Sequence, residues 1–274
     1  MIDYHIHTDY TQDAKGKVED YCKVANEKNL KEIAFTNHFN IFKLNSPGES
    51  ILLHQIPEHF ENIEKAKKEF RVKIKFGLEV DYWASEHEKI EKVLGEHEFD
   101  FLLGSVHYVG NILIAGSLED SIRFFKNKSL QEAYRIYFDR VIETVESNLF
   151  DVLAHPDCIR KNATKFFGKE LPFEKYRKFV EKVIEALLTN DTGIEINTSG
   201  FFHGVNDFFP SYEFLKLCLD SGVKIVTIGS DAHLPERTGD RIKEALERLK
   251  EVGFKKIYCY DKRKKKGMLI KNFV

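Results

Sequence analysis

Two histidines separated by a single residue, His5 and His7, stand at the start of the chain in Met1-Ile-Asp-Tyr-His-Ile-His7. In an extended strand, residues i and i+2 point to the same side, so this pair can present two imidazoles to one metal ion. A second polar cluster, Gly229-Ser-Asp-Ala-His233, lies more than two hundred residues later, so a site using both must be closed by the whole fold. Between them, His38, Glu79, His107 and His155 sit within or just after apolar, β-branched runs. Glu79 interrupts Phe76-Gly-Leu-Glu-Val-Asp-Tyr82. An unpaired carboxylate would be costly to bury there, and a cation is its natural partner. Asp81 shares that side of the strand and is a candidate to support a ligand from behind. Imidazole mixed with carboxylate suits a transition metal, and the spacing points to a metal-dependent hydrolase.

The elements that must carry these residues alternate. Strand-like runs occupy residues 2–7, 32–37, 73–82, 99–108, 150–155, 193–198, 223–231 and 255–260, and amphipathic stretches cover 18–28, 57–71, 129–147, 173–189 and 235–251. Pro57 suits a first helical turn, and Ser129-Leu-Gln-Glu132 reads as a capping box. Alternation of β and α implies a parallel sheet covered by helices, and periodicity alone leaves a closed barrel and an open sheet equally available. The polar residues decide: they fall at the C-terminal ends of nearly every strand, the rim where α/β barrels assemble their sites, whereas an open sheet offers one crevice. Long segments at 39–56 and 110–128 would overhang that rim as lids. No linker or repeat divides the chain, so residues 1–274 are expected to form a single barrel domain.

With 274 residues and 42% apolar composition, the chain can bury a substantial core. A net charge of −2 without a basic stripe gives no field for a nucleic-acid backbone. The run Lys262-Arg-Lys-Lys-Lys266 reads as a solvated turn. Cys22, Cys158, Cys218 and Cys259 are scattered without a Cys-x-x-Cys pair, as expected of reduced thiols. The first strand starts at once, leaving no room for a signal peptide, and no apolar run approaches the ~20 residues of a membrane span. A cytoplasmic protein without nucleic-acid or membrane partners is expected.

The motifs Asp3-Tyr-His-Ile-His7, Thr36-Asn-His38, Gly77-Leu-Glu79, Gly104-Ser-Val-His107, Ala154-His155-Pro156 and Gly229-Ser-Asp-Ala-His233 occur in the order they have in the PHP (polymerase and histidinol phosphatase) family, which the chain resembles over nearly its whole length. Gly77-Leu-Glu-Val-Asp-Tyr82 and Leu103-Gly-Ser-Val-His-Tyr108 are most similar to its histidinol-phosphate phosphatase branch. The resemblance implies a distorted (β/α)7 TIM-like barrel with three divalent transition-metal ions (Zn, Fe or Mn) at the rim. His5, His7, Glu79 and Asp231 would surround the first metal. Glu79 would bridge to a second held by His107 and His155, and Asp13, His38 and His233 would hold the third.

The implied reaction is hydrolysis of L-histidinol phosphate to L-histidinol and phosphate in histidine biosynthesis, by attack of a metal-bound hydroxide and without a covalent phosphoenzyme. Arg160 and Lys161 fall where the family places a basic phosphate contact. Relatives often carry another basic residue after the Asn197-Thr-Ser-Gly200 turn, where this chain reads Phe201-Phe202. His203 or Arg237 are the candidates to replace it, with His203 also the candidate general acid and Ser105 a further donor to substrate. Asp81, Glu49 and Glu119 are candidates for the cationic part of the substrate. Cys158 lies close to His155 and Arg160, but the sixth residue after it is Thr164, so a Cys-x5-Arg phosphatase loop is absent. Alternative readings are another phosphomonoesterase, a protein tyrosine phosphatase or nuclease of the family, or a metal-binding scaffold without turnover.

Overall fold

Seven short runs of Val, Ile, Leu and Phe pair side by side, all in parallel, in the computed structural model, which describes residues 1–44 and 48–273. In chain order the strands are β1 (Ile2–Ile6), β2 (Glu32–Phe39), β3 (Lys73–Asp81), β4 (Phe101–Ser105), β5 (Tyr108–Val109), β6 (Ile112–Leu113), β7 (Val152–Leu153), β8 (Gly193–Asn197), β9 (Val226–Gly229), β10 (Lys256–Asp261) and β11 (Lys264–Leu269). The parallel sheet runs β1-β2-β3-β4-β7-β8-β9. It nearly closes on itself: the His7 amide donates to Ala232 O at 2.9 Å and the Ala232 amide to His5 O at 3.3 Å. The result is the expected distorted seven-stranded barrel, with helices α1 (Val18–Glu27), α2 (Gln55–Glu69), α3 (His87–Gly95), α4 (Leu118–Phe125), α5 (Leu130–Glu146), α6 (Arg160–Phe167), α7 (Phe173–Thr189), α8 (Tyr212–Asp220) and α9 (Ile242–Val252).

The eighth strand candidate does not enter the barrel. Residues 256–261 form β10, which pairs antiparallel with β11 through a turn in which Lys262 and Arg263 both take positive φ. This hairpin lies at the N-terminal mouth, where the Tyr260 amide donates to Tyr4 Oη at 2.9 Å and the Arg263 amide to Asp100 O at 2.9 Å. The basic run is therefore more than a solvated turn. Lys262 pairs with Glu98, Arg263 with Asp151 and Lys265 with Asp191.

The segment at 110–128 is also not a bare loop, since it holds β6 and α4. Ser117 caps α4 in a full capping box with Asp120, whereas at α5 Ser129 accepts from the Glu132 amide without the reciprocal bond. The helix expected over 235–251 is broken into a 3-10 turn, Pro235–Arg237, and α9, with Gly239 at positive φ between them. Arg237 stays on the rim as a result. Of the segment at 39–56, residues 45–47 lie outside the described residues.

Candidate metal centre

The local backbone explains how β1 delivers its histidines. Ile2 and Asp3 pair with Glu32 and Ile33, and Ile6 pairs with Phe35, so Tyr4 and His5 face the single residue Ala34. Such a bulge bends a strand and re-aims a side chain, a device common beside active sites. His5 and His7 are fully buried with ring centroids 5.0 Å apart. His155 and Asp231, just beyond β7 and β9, have φ of 23° and 56°. Left-handed non-glycine residues carry strain that the surroundings must hold in place, and such strain gathers at functional sites.

Glu79 at the end of β3 is the centre of the cluster. Its Oε1 lies 2.7 Å from His155 Nε2 and 3.3 Å from His107 Nε2. Its Oε2 lies 2.7 Å from His38 Nδ1, 3.3 Å from His5 Nε2 and 3.6 Å from His7 Nε2. Asp231 Oδ1 faces His7 Nε2 at 3.3 Å and His5 Nε2 at 3.7 Å. On the outer side, Asp13 Oδ2 is 3.3 Å from both His38 Nε2 and His233 Nε2. All nine residues expected to bind metal thus converge, and His38 turns one nitrogen to Glu79 and the other to Asp13.

Electrostatics follow from this packing. Burial opposes charge on His5, His38, His107 and His155, yet neighbouring acceptors, Glu195 first for His5 and Glu79 the leading carboxylate for the others, hold all four above the usual imidazole range, His107 at about 9. Burial likewise opposes charge on Asp13, Glu79 and Asp231, but the surrounding imidazoles pull these carboxyls well below their ordinary values. The cluster is a buried place for positive charge, which protons or metal cations can supply. His7 differs: burial and the neighbouring His38 and His233 keep it neutral, the state in which imidazole ligates a metal.

The residues fit a metal. His5 Nε2 and both ring nitrogens of His7 are buried without a hydrogen-bond partner among the described residues, a costly condition unless a cation takes the lone pairs. His5, His7 and Asp231 offer donor atoms within common reach, as do His5, Glu79 and His155, and His38, Glu79 and His107. Mixed nitrogen and oxygen donors suit zinc, iron or manganese better than calcium or magnesium.

The ligands are braced from behind, and here the sequence reasoning missed a residue. Glu195, buried on β8, accepts from His5 Nδ1 at 2.8 Å with one oxygen. With the other it accepts from the His155 amide at 2.9 Å and from Asn197 Nδ2 at 3.0 Å. A histidine held by carboxylate at one nitrogen presents the other to the metal. The signal was available: in Gly193-Ile-Glu-Ile-Asn197 an acid interrupts an apolar strand, as Glu79 does. Gly229 makes room for this contact, because a Cβ there would lie 2.1 Å from Glu195 Oε1. Asp81 braces His107, accepting from its amide at 2.9 Å and lying 3.3 Å from Nδ1.

A cavity of about 710 Å3 opens over the cluster. Lys161, His203, Arg237, Asp81 and Glu49 line it. Lys161 Nζ donates to Ala115 O at 2.6 Å, which ties the loop after β6 to the wall. Burial, then the nearby Lys161, pushes His203 down to about 3, so at neutral pH its ring is uncharged and holds no proton ready for general-acid work. Glu49 pairs with Lys43 at 2.6 Å.

Three candidates are placed elsewhere. Arg160 is buried, donating to Phe208 O at 3.0 Å and to Asp207 at 3.1 Å, with Asp157 3.5 Å away, and it does not line the cavity. Ser105 is buried with Oγ 3.5 Å from His107 Nδ1. Glu119 sits in the exposed first turn of α4. Cys158 is buried on the cavity wall against Tyr137 Oη at 3.3 Å. Among the described residues, no helix is long and apolar enough to cross a membrane.

Known proteins share this arrangement of chain. A probable histidinol-phosphatase of Deinococcus radiodurans is 28% identical over 257 residues, covering 92% of this chain and 94% of its own. The histidinol-phosphatase of Lactococcus lactis is 28% identical over 275 residues, covering 96% and 97%. The crystal structure of the Lactococcus lactis histidinol phosphate phosphatase, complexed with zinc, L-histidinol and phosphate, superposes with a TM-score of 0.83 at 25% identity, covering 97% of this chain and 98% of that one. The PHP domain model matches residues 3–199, which carry seven of the nine converging side chains, and the chain belongs to the PHP domain family.

Proposed function

We propose that this chain is a metal-dependent phosphomonoesterase that hydrolyses L-histidinol phosphate to L-histidinol and phosphate. The observation that carries the reaction class is the convergence of six imidazoles and three carboxylates beneath one cavity, with His5 Nε2 and His7 Nε2 buried, facing carboxylates and making no hydrogen bond. The substrate is supported by near full-length similarity to proteins named histidinol-phosphatase and by the zinc, histidinol and phosphate complex of one of them.

His5, His7, Glu79 and Asp231 would hold one cation; Glu79, His107 and His155 a second; and Asp13, His38 and His233 a third. Bound there, such ions supply Lewis-acid charge to phosphoryl oxygens and lower the pKa of water. Glu195 and Asp81 keep the imidazoles aimed, so the donor set is preorganised. Lys161 offers N–H donors to the phosphate from the cavity wall. Neutral His203 serves as a hydrogen-bond partner near the leaving oxygen. Glu49, on the cavity wall in the segment after β2, presents a carboxylate to the ammonium of an amino alcohol.

A panel of phosphomonoesters assayed with zinc-loaded protein tests this. Histidinol phosphate should exceed generic esters in kcat/KM by at least ~10², about 2.7 kcal/mol of discrimination. One solvent oxygen should enter the released phosphate with inversion at phosphorus. A smaller preference rejects the substrate; net retention rejects direct hydrolysis.

A further inference from the structure

Phe202 is 63% exposed, the largest exposure of any large apolar side chain among the described residues. It stands on the cavity wall, and its ring carries the Arg237 guanidinium, whose carbon is 3.8 Å from the ring centroid. Arg237 Nε donates to Asp240 Oδ2 at 3.3 Å, so the group is held from its face and from its stem. A second stacked pair, Arg241 over Phe201 at 4.3 Å, and the bond from Thr198 Oγ1 to Asp240 O at 2.8 Å fasten the loop after β8 to the loop after β9. The loop after β8, residues 198–211, contains neither Lys nor Arg.

Stacking and hydrogen bonding use different parts of a guanidinium. The aromatic ring takes the π face, whereas the N–H donors radiate in the plane, so stacking orients the donor edge without consuming donors. That edge can meet two phosphate oxygens at once, which a lysine cannot do. An exposed phenylalanine has no core to fill here, and orienting Arg237 accounts for its place.

The geometry points to Arg237 as a contact for the substrate's phosphate oxygens, delivered by the loop after β9, and to Phe202 as the residue that positions it. This rests on the phosphomonoesterase reading above and adds the residue pair that sets its anion affinity.

The test uses zinc-loaded enzyme with metal content measured for every variant. Competitive inhibition by inorganic phosphate is read beside kcat and KM for histidinol phosphate. Arg237→Met should weaken phosphate inhibition and lower kcat/KM, each by about 10²-fold, and Arg237→Lys should recover little of either. Phe202→Ala should move both in the same direction by about tenfold, 1.36 kcal/mol, and Phe202→Tyr should restore them. In an Arg237→Met background, Phe202→Ala should cost nothing further. Unchanged phosphate affinity in Arg237→Met would overturn the contact. Additive losses in the double variant would overturn the positioning role. Should histidinol phosphate fail as substrate while phosphate affinity still falls with Arg237, the substrate reading would be lost and this one retained.

Discussion

Glu195 shapes the centre without lining its cavity. Its two oxygens hold the His5 ring and the His155 backbone, so one carboxylate sets two ligands on different strands. Glu195→Gln keeps the size but weakens the acceptor at His5 Nδ1. Zinc affinity should fall about 10- to 100-fold, read by titration against a chelating dye. Arg160 is the opposite case, a residue whose type suggested anion binding and whose surroundings deny it. With Asp157 and Asp207 already on its guanidinium, Arg160→Met should cost about 3 kcal/mol of stability. Phosphate inhibition of the folded fraction should stay at the wild-type value, and a large loss there would restore Arg160 to the site. Strand ends advertise most of the nine converging residues, whereas Asp13, in the loop between β1 and α1, came only with the family resemblance. Sequence could not show that Arg160 turns away, because that depends on Asp207, forty-seven residues on.

At the level of elements, α2 docks on β2 and β3 through a buried histidine that no ligand argument needs. His59 is fully buried, with Nε2 3.1 Å from Asn37 Nδ2, and packs edge-on to Tyr10 and Phe76. Burial pushes it down to about 3. Its folded pKa lies below the unfolded one, so the unfolded chain binds the proton first. The stability this neutral ring contributes is complete above pH ~6.5 and is lost as pH falls toward ~3, by up to about 1.4 kcal/mol per unit. The advantage of wild type over His59→Gln in urea denaturation should therefore shrink between pH 6.5 and 4, and a constant difference would refute the assignment. Helices with clean apolar spacing, such as α7, were legible to the residue. The break before α9 was not, because Pro235 and Gly239 both fit a helix edge and only the packed loop shows where Arg237 must stand.

For the whole molecule, alternating elements and a polar rim were sufficient to indicate a barrel, while the role of the last twenty residues depended on partners that sequence spacing does not display. β10 has the composition of a barrel strand, yet β11 follows after a two-residue turn and pairs antiparallel with it. The hairpin then seals the end of the barrel opposite the metal centre, using Asp100 and Asp151 from the loops at that mouth.

The barrel's closure between β1 and β9 has a kinetic consequence. Among the described residues, two backbone–backbone hydrogen bonds join β1 to the end of β9, and both belong to residues at or between His5, His7, Asp231 and His233. Ions held by those four side chains would clasp the first barrel strand to the last, joining segments more than two hundred residues apart in sequence, which are slow to meet. Opening of the native state should therefore begin at this clasp when the ions are withdrawn. In hydrogen exchange, the amides of His7 and Ala232 should lose protection on chelation by about 2.7 kcal/mol for ions supplied at 100 times their dissociation constant. Amides of β3 and β4 should be largely unaffected. Uniform loss across the sheet would mean that the centre stabilises the molecule globally and does not act as its latch.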